Sequence, residues 1–233
     1  YDLCERALEA ELDASPAAET TALYLWIKGR GEGGSPYARI TNLPIPLTSF
    51  VGRTQETAAV KRLLDPAASP AQEVVDPPAR LLTITGPGGS GKTRLAIQAA
   101  TDLIDRFPHG VWFVELATLG TGDQVAHGVA KALGVSEDGA RRCLDSIADA
   151  LGDRRLLLVL DNCEHLVEPL AHLTAELLSR CPHLHVLATS RDPLNIPGEV
   201  RWQAPPLALP DPQQPQTSDM LRANESVRLF SER

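Results

Sequence analysis

The stretch Leu81-Leu82-Thr83-Ile84-Thr85-Gly86-Pro87-Gly88-Gly89-Ser90-Gly91-Lys92-Thr93 decides how the rest of this chain reads. Its first five residues are an apolar run suited to a buried strand, and residues 86–93 form an unbroken G-x-x-x-x-G-K-S/T loop. Glycine recurs because several positions must take backbone angles closed to residues with a Cβ, while the backbone N–H groups turn inward around phosphate oxygens. Lys92 adds a cation and Thr93 a hydroxyl for Mg²⁺. A helix from about Lys92 to Asp105 should follow, its positive dipole end behind the anion. Leu95, Ala96, Ala99, Ala100, Leu103 and Ile104 give it an apolar stripe that needs a sheet to pack on. A glycine-rich turn arising by chance is the alternative, but strand, loop and helix come in the order that phosphate binding requires. The phosphate-facing set is Gly86, Pro87, Gly88, Gly89, Ser90, Gly91, Lys92 and Thr93, with Arg94 beside it.

Working outward, strands are expected at Val111–Leu116, Leu156–Leu160 and Leu184–Thr189, with Trp202 in a last one. Helical stretches fall within Thr121–Leu151 and around Leu166–Arg180. Short apolar strands separated by helices predict a parallel sheet covered on both faces, an α/β fold of the P-loop NTPase type with three αβα layers. Residues 47–210 would form this domain, with a short amphipathic helix at Thr54–Leu64 and a loop with four prolines at Asp65–Ala79. Residues 1–30 read as a short all-α fragment and 31–46 as a Gly- and Pro-rich linker. Residues 211–233 read as a loop and the start of a helical domain, Asn224 capping a helix that carries Val227, Leu229 and Phe230. The absence of an initiator Met and the stop inside a helix predict a segment that begins and ends mid-domain.

The run Leu156-Leu157-Leu158-Val159-Leu160-Asp161 is a buried strand ending in a carboxylate, which would reach Mg²⁺ through its water shell beside Thr93. Alone such a strand is common in α/β folds; behind the loop at 86–93 it becomes specific. Asn162 follows, where vigorous ATPases often carry a Glu; an amide can hydrogen-bond water but cannot take its proton. Glu164 is the nearest acid that could substitute, or it only favours the dipole of the next helix. Slow hydrolysis is therefore expected, a weak ATPase in which the nucleotide marks a state. Lys92, Asp161 and Arg191 are the candidate catalytic residues, and Thr93 and Asp161 the candidate Mg²⁺ ligands. Arg191, at the tip of the strand Leu184–Thr189, would touch the γ-phosphate and distinguish ATP from ADP; the alternative is a surface ion pair with Asp192 or Glu199.

A net charge of −8 and a pI near 5.3 argue against these residues gripping nucleic acid themselves. No apolar stretch reaches the roughly 18 residues of a membrane span, and no secretion signal opens the chain, so a cytoplasmic protein is expected. Cys4, Cys143, Cys163 and Cys181 read as scattered thiols, and the Cys163-x-His165 and Cys181-x-His183-x-His185 spacings fit no common zinc pattern.

Phe50-Val51-Gly52-Arg53-Thr54-Gln55-Glu56, the loop at 86–93, Leu158-Val159-Leu160-Asp161-Asn162-Cys163-Glu164-His165-Leu166 and Ala188-Thr189-Ser190-Arg191 together resemble the STAND class of signalling ATPases with an NB-ARC-type domain. Within that class they are most similar to bacterial transcriptional regulators, notably the Streptomyces antibiotic regulatory proteins and their LuxR-like relatives. The resemblance implies that Val51, Gly52 and Arg53 lie beside adenine and ribose, and that the phosphate-loop strand lies next to the sensor strand with the Asp161 strand beyond. Residues 1–30 look like the end of a helical, tetratricopeptide-like transcriptional activation domain. The implied function is an ATP/ADP switch with Mg²⁺. Its implied partners are the lid and DNA-binding regions of the same chain, a homo-oligomer in the ATP state, and promoter DNA and RNA polymerase through regions absent here. A P-loop ATPase or phosphotransferase acting on a separate substrate is the alternative.

Overall fold

β1 (Leu81–Thr85) is buried along nearly its whole length, and its neighbours show why it needs apolar residues on both faces. It runs between β4 (Leu184–Ser190) and β5 (Glu199–Gln203); β3 (Leu156–Asp161) lies beyond β4, and β2 (Val111–Glu115) forms the far edge. All of these pairings are parallel. The computed structural model describes residues 41–67, 78–136, 142–210 and 217–232. The helical fragment expected at 1–30 and most of the expected linker lie outside the described residues.

Side chains alternate across the sheet as the two-residue strand period requires. Along β3, Leu156, Leu158 and Leu160 enter one apolar cluster, while Leu157 and Val159 enter the other. The first cluster is closed by α3 (Gly122–Leu133), α4 (Cys143–Leu151) and α5 (Val167–Arg180), through Val125, Val129, Ile147, Leu151, Leu170 and Leu177. On the opposite face, Val60 and Leu64 of α1 (Thr54–Leu64) and Leu95, Ala96, Ala99 and Ala100 of α2 (Lys92–Asp102) cover Leu82, Ile84 and Leu187. The alanines let α2 lie close to the strands. The architecture is the three-layer αβα sandwich of a P-loop NTPase-like fold.

Several boundaries differ from the sequence reading for identifiable reasons. Helix α2 stops at Asp102, and Ile104–Arg106 form a separate 3₁₀ turn before Phe107, which precedes Pro108 and is held out of the helical region at φ −119°. Strand β2 ends at Glu115, one residue short of Leu116, and β4 continues to Ser190. A short helix, α6 (Ser218–Ala223), precedes α7 (Glu225–Ser231), whose start is set by Asn224 Oδ1 accepting from the amides of Ser226 and Val227 at 3.0 and 3.3 Å. Within the expected linker, Thr41 makes a parallel bridge to Val111, and the Asn42 side chain both accepts from the Phe113 amide (2.6 Å) and donates to its carbonyl (2.9 Å). This segment covers the edge of β2, which would otherwise present unpaired backbone groups.

Because every strand runs the same way, the carboxyl ends of β1, β3 and β4 deliver Gly86, Asp161 and Arg191 to one edge of the sheet. Among the described residues no helix is long and apolar enough to cross a membrane, and no three His, Cys, Asp or Glu side chains cluster as metal ligands would. Cys163 and Cys181 are buried free thiols, and burial, with Asp161 and Glu164 nearby, pushes the Cys163 thiol well above its ordinary range.

Candidate functional site

The loop after β1 takes the shape its glycines allow. Gly89 and Gly91 have φ of 76° and 84°, a region that costs a residue with a Cβ about 1–2 kcal/mol. Gly91 is also the N-cap of α2, so the first-turn amides of that helix, which lack intrahelical acceptors, open onto the loop. Lys92 is buried beneath it and its Nζ donates to the carbonyls of Gly86 (2.8 Å) and Pro87 (3.0 Å). Ser90 Oγ is buried without a partner, an orphan polar atom inside the cradle.

Behind the loop lies a knot of hydroxyls. Thr93 Oγ1 donates to Asp161 Oδ1 at 2.7 Å, joining two groups 68 residues apart in the chain. Thr189 Oγ1 donates to the same oxygen at 2.6 Å and accepts from the Asn162 amide at 3.0 Å. The ends of β3 and β4 and the start of α2 are thus fastened to one carboxylate. A Thr93 hydroxyl whose proton is committed to Asp161 keeps its lone pairs for a cation, so the donor set suits Mg²⁺. Asn162 has φ 65°, a left-handed conformation that Asn tolerates better than most residues with side chains.

A cleft of about 360 Å³ extends from the loop to a second, mostly apolar end. Phe50, Val51 and Arg53 line it together with Pro206 and Leu207 after β5 and Leu229 of α7. Arg53 is buried at φ 57°, and its Nη2 donates to the Ser90 carbonyl at 2.7 Å. Its amide donates to Glu225 Oε1 at 3.1 Å, so α7 caps the start of α1. Gly52 is at φ 69° and packs against Glu225; a Cβ there would fall 2.3 Å from Glu225 Cδ. Arg94 also lines the cleft, but its guanidinium donates to the carbonyls of Thr48 (2.8 Å) and Ser49 (2.5 Å) and lies 6.0 Å from the Phe50 ring centroid.

Arg191 departs from both surface partners considered for it. Its Nε pairs with Glu164 Oε1 at 3.2 Å, and its Nη2 would sit 3.4 Å from a Cβ placed on Gly88. Glu199 is taken up elsewhere, accepting from Thr83 Oγ1, the amides of Leu194 and Asn195, and Arg201. Glu164 is not in the first turn of α5 but on the separate 3₁₀ turn Cys163–His165, braced by His165 Nε2 against the carbonyls of Leu116 and Leu119.

The structure therefore gathers Gly86–Thr93, Asp161 and Arg191 at one end of the site and Val51 toward the other, with the Arg53 guanidinium reaching the loop at Ser90. Sequence reasoning missed Pro206, Leu207, Glu225 and Leu229. The apolar spacing of residues 227–230 marked a helix with something to bury, yet nothing in it named the surface that receives it.

A family model described as an AAA domain matches residues 76–196, just over half of the chain. The chain belongs to the AAA domain family. The matched span of this AAA domain carries the loop, Asp161 and Arg191, but not residues 50–53 or α7. Among curated proteins, the "Uncharacterized protein Rv0894" of Mycobacterium tuberculosis is 36% identical over 187 residues, covering 80% of this chain and 41% of the relative. The "Putative HTH-type transcriptional regulator Rv0890c" of the same organism is 42% identical over 156 residues, covering 66% of this chain and 16% of the relative. The chain thus spans less than half the length of either. Among solved structures, a Signal Transduction ATPase with Numerous Domains from Pyrococcus horikoshii, with a tetratricopeptide repeat sensor, is 17% identical, with a TM-score of 0.44 over 69% of this chain and 24% of that one. Cdc6p from Pyrobaculum aerophilum is 15% identical, with a TM-score of 0.49 over 81% of this chain and 51% of that one.

Proposed function

We propose that this AAA domain binds ATP and ADP with Mg²⁺ and serves as a nucleotide-state switch in a multidomain transcriptional regulator of the STAND, NB-ARC-like type. The observation that carries the reading is the 2.7 Å bond from Thr93 Oγ1 to Asp161 Oδ1, which brings the hydroxyl of the phosphate loop and the carboxylate of β3 to one point beside a buried lysine. Mg²⁺, held by Thr93 and through its water shell by Asp161, would neutralise charge on the β- and γ-phosphates. The loop amides and Lys92 hold the phosphates, and the apolar cleft between Val51 and Leu229 takes the base. Hydrolysis is slow, because Asn162 occupies the position after Asp161 and its amide accepts no proton, and the nearest acid, Glu164, is paired with Arg191.

The regulatory part rests on the 42% identity to the mycobacterial HTH-type regulator and on the motif resemblance to Streptomyces antibiotic regulatory and LuxR-like proteins. On this reading residues 1–30 are the tail of a helical activation domain, residues 211–233 lead into a lid, and DNA contacts lie in other regions of the protein. Moving a two-state equilibrium from 1:99 to 99:1 takes about 10⁴-fold differential affinity.

Thermal unfolding of the full chain tests nucleotide binding. Mg²⁺-ATP at about 100 times Kd should add about 2.7 kcal/mol of stability, and Lys92→Ala should remove that gain. A wild-type chain indifferent to adenine nucleotides would overturn the proposal. The switch itself fails if the full-length regulator shows one oligomeric state and one promoter affinity with ATP and ADP alike.

A further inference from the structure

We infer that Glu164 is the carboxylate that orients the attacking water during ATP hydrolysis, and that Arg191 holds it away from the γ-phosphate until ATP draws the guanidinium off. This rests on the nucleotide-binding reading above and adds a residue and a gate to it.

Three observations lead here. First, the position after Asp161 is closed to a working acid by its backbone: Asn162 sits at φ 65° with its amide bound to Thr189 Oγ1, a left-handed turn that disfavours Glu. The same turn starts the 3₁₀ segment that carries Glu164 to the phosphate-loop edge of the sheet. Second, Glu164 is half spent. Oε1 pairs with Arg191, whereas Oε2 is buried and has no hydrogen-bond partner. A buried carboxylate oxygen that no protein group bonds is costly to leave so, and a water molecule entering at this edge would satisfy it. Third, Arg191 bridges the two places that matter. Its Nε is on Glu164, its Nη2 lies against Gly88 of the phosphate loop, and its side chain is 63% exposed, so it is free to turn.

A γ-phosphate held by the loop offers Arg191 an anion of higher charge than one carboxylate. With the guanidinium turned to phosphate, Glu164 Oε1 is released toward the water. The water oxygen bonds to the γ-phosphorus as the bond to the β–γ bridging oxygen breaks, its electron pair leaving with ADP. The water proton passes to Glu164 and then to solvent. ADP offers no γ-phosphate, so the pair closes again.

Glu164→Gln and Arg191→Ala in the full chain separate this scheme from a structural ion pair, with nucleotide affinities read by calorimetry and turnover by phosphate release. Glu164→Gln should lower turnover by about 10²-fold, the scale of a lost general base. It should also tighten ATP by about two- to fivefold, the scale of a half-exposed ion pair that no longer has to be broken, and leave ADP unchanged. Arg191→Ala should weaken ATP and not ADP. Unaltered turnover in Glu164→Gln, or equal changes in ATP and ADP affinity, would overturn the inference while leaving nucleotide binding intact. A wild-type chain that binds neither nucleotide would overturn both.

Discussion

The two ends of the cleft are built on different principles. The phosphate end is contiguous and anchored: eight consecutive residues make the loop, a buried lysine fills it, and one carboxylate is tied to a threonine at the start of α2 and another at the end of β4. The apolar end, proposed above to take the base, is assembled from three distant segments, residues 50–53, 206–207 and 225–229, and the contact between Arg53 and Glu225 spans 172 positions. The first is set by main-chain geometry at the rim of a packed sheet. The second is set by how a short C-terminal helix happens to be held. A displacement of α7 would therefore reach the apolar end through the bond between Arg53 and Glu225, while the loop, Lys92 and Asp161 stay anchored to the sheet.

The largest test of that contrast is Lys92→Ala. Charge-assisted hydrogen bonds are each worth about 1.5–3 kcal/mol, so loss of the ammonium should weaken ATP and ADP alike by about 10²-fold, as read by calorimetry. An effect confined to one nucleotide would break the picture of a lysine that serves both nucleotides from an anchored loop. Thr189→Val is the next largest. It keeps the shape but strips a donor from Asp161 and an acceptor from the Asn162 amide, and should cost about 2–3 kcal/mol of stability in denaturant unfolding.

At the apolar end the effects should be smaller and should fall on stability and affinity together. Gly52→Ala forces a Cβ into a left-handed backbone and displaces Glu225, at about 1–2 kcal/mol of stability. Leu229→Ala should loosen nucleotide by no more than about fivefold, since the side chain is half-buried and only part of its area is returned to water. If Leu229→Ala matches Lys92→Ala, the two ends are not distinct.

The smallest effect serves as a control remote from both. His185 is buried edge-on to Phe107, and burial lowers its pKa; the bond to the His183 carbonyl opposes this, while the charges of Arg80 and Arg155 add to it. A histidine depressed in the fold stays neutral there, so its contribution is complete above about pH 6.5 and is lost as pH falls through the folded value. The denaturation midpoint should fall on acidification, and His185→Leu should flatten that slope without altering nucleotide affinity.

How far the sequence could be read follows the same division. Helix α1 and strand β1 fall where periodicity puts them, because both signals are local. The end of α2 does not, since Phe107 before Pro108 truncates a stripe that still looks helical. Glu164 was visible as an acid near Asp161, but its partner depends on where the tip of β4 lies beside β3, and no spacing rule yields that. Asn162 read as a missing glutamate; its left-handed backbone supplies the reason.

By itself, the order of residues determined the phosphate loop, the strand that feeds it, the carboxylate of β3 and the αβα layering. Each depends on backbone angles or hydrophobic periods confined to a few neighbouring positions. Only the tertiary structure decided that Thr189 shares Asp161 with Thr93, that Arg191 rests on Glu164, and that Glu225 and Leu229 close the far end of the cleft. Those pairings are between side chains brought together by parallel strand order and by the return of the chain after β5, and long-range packing leaves no periodic trace in the segments it joins.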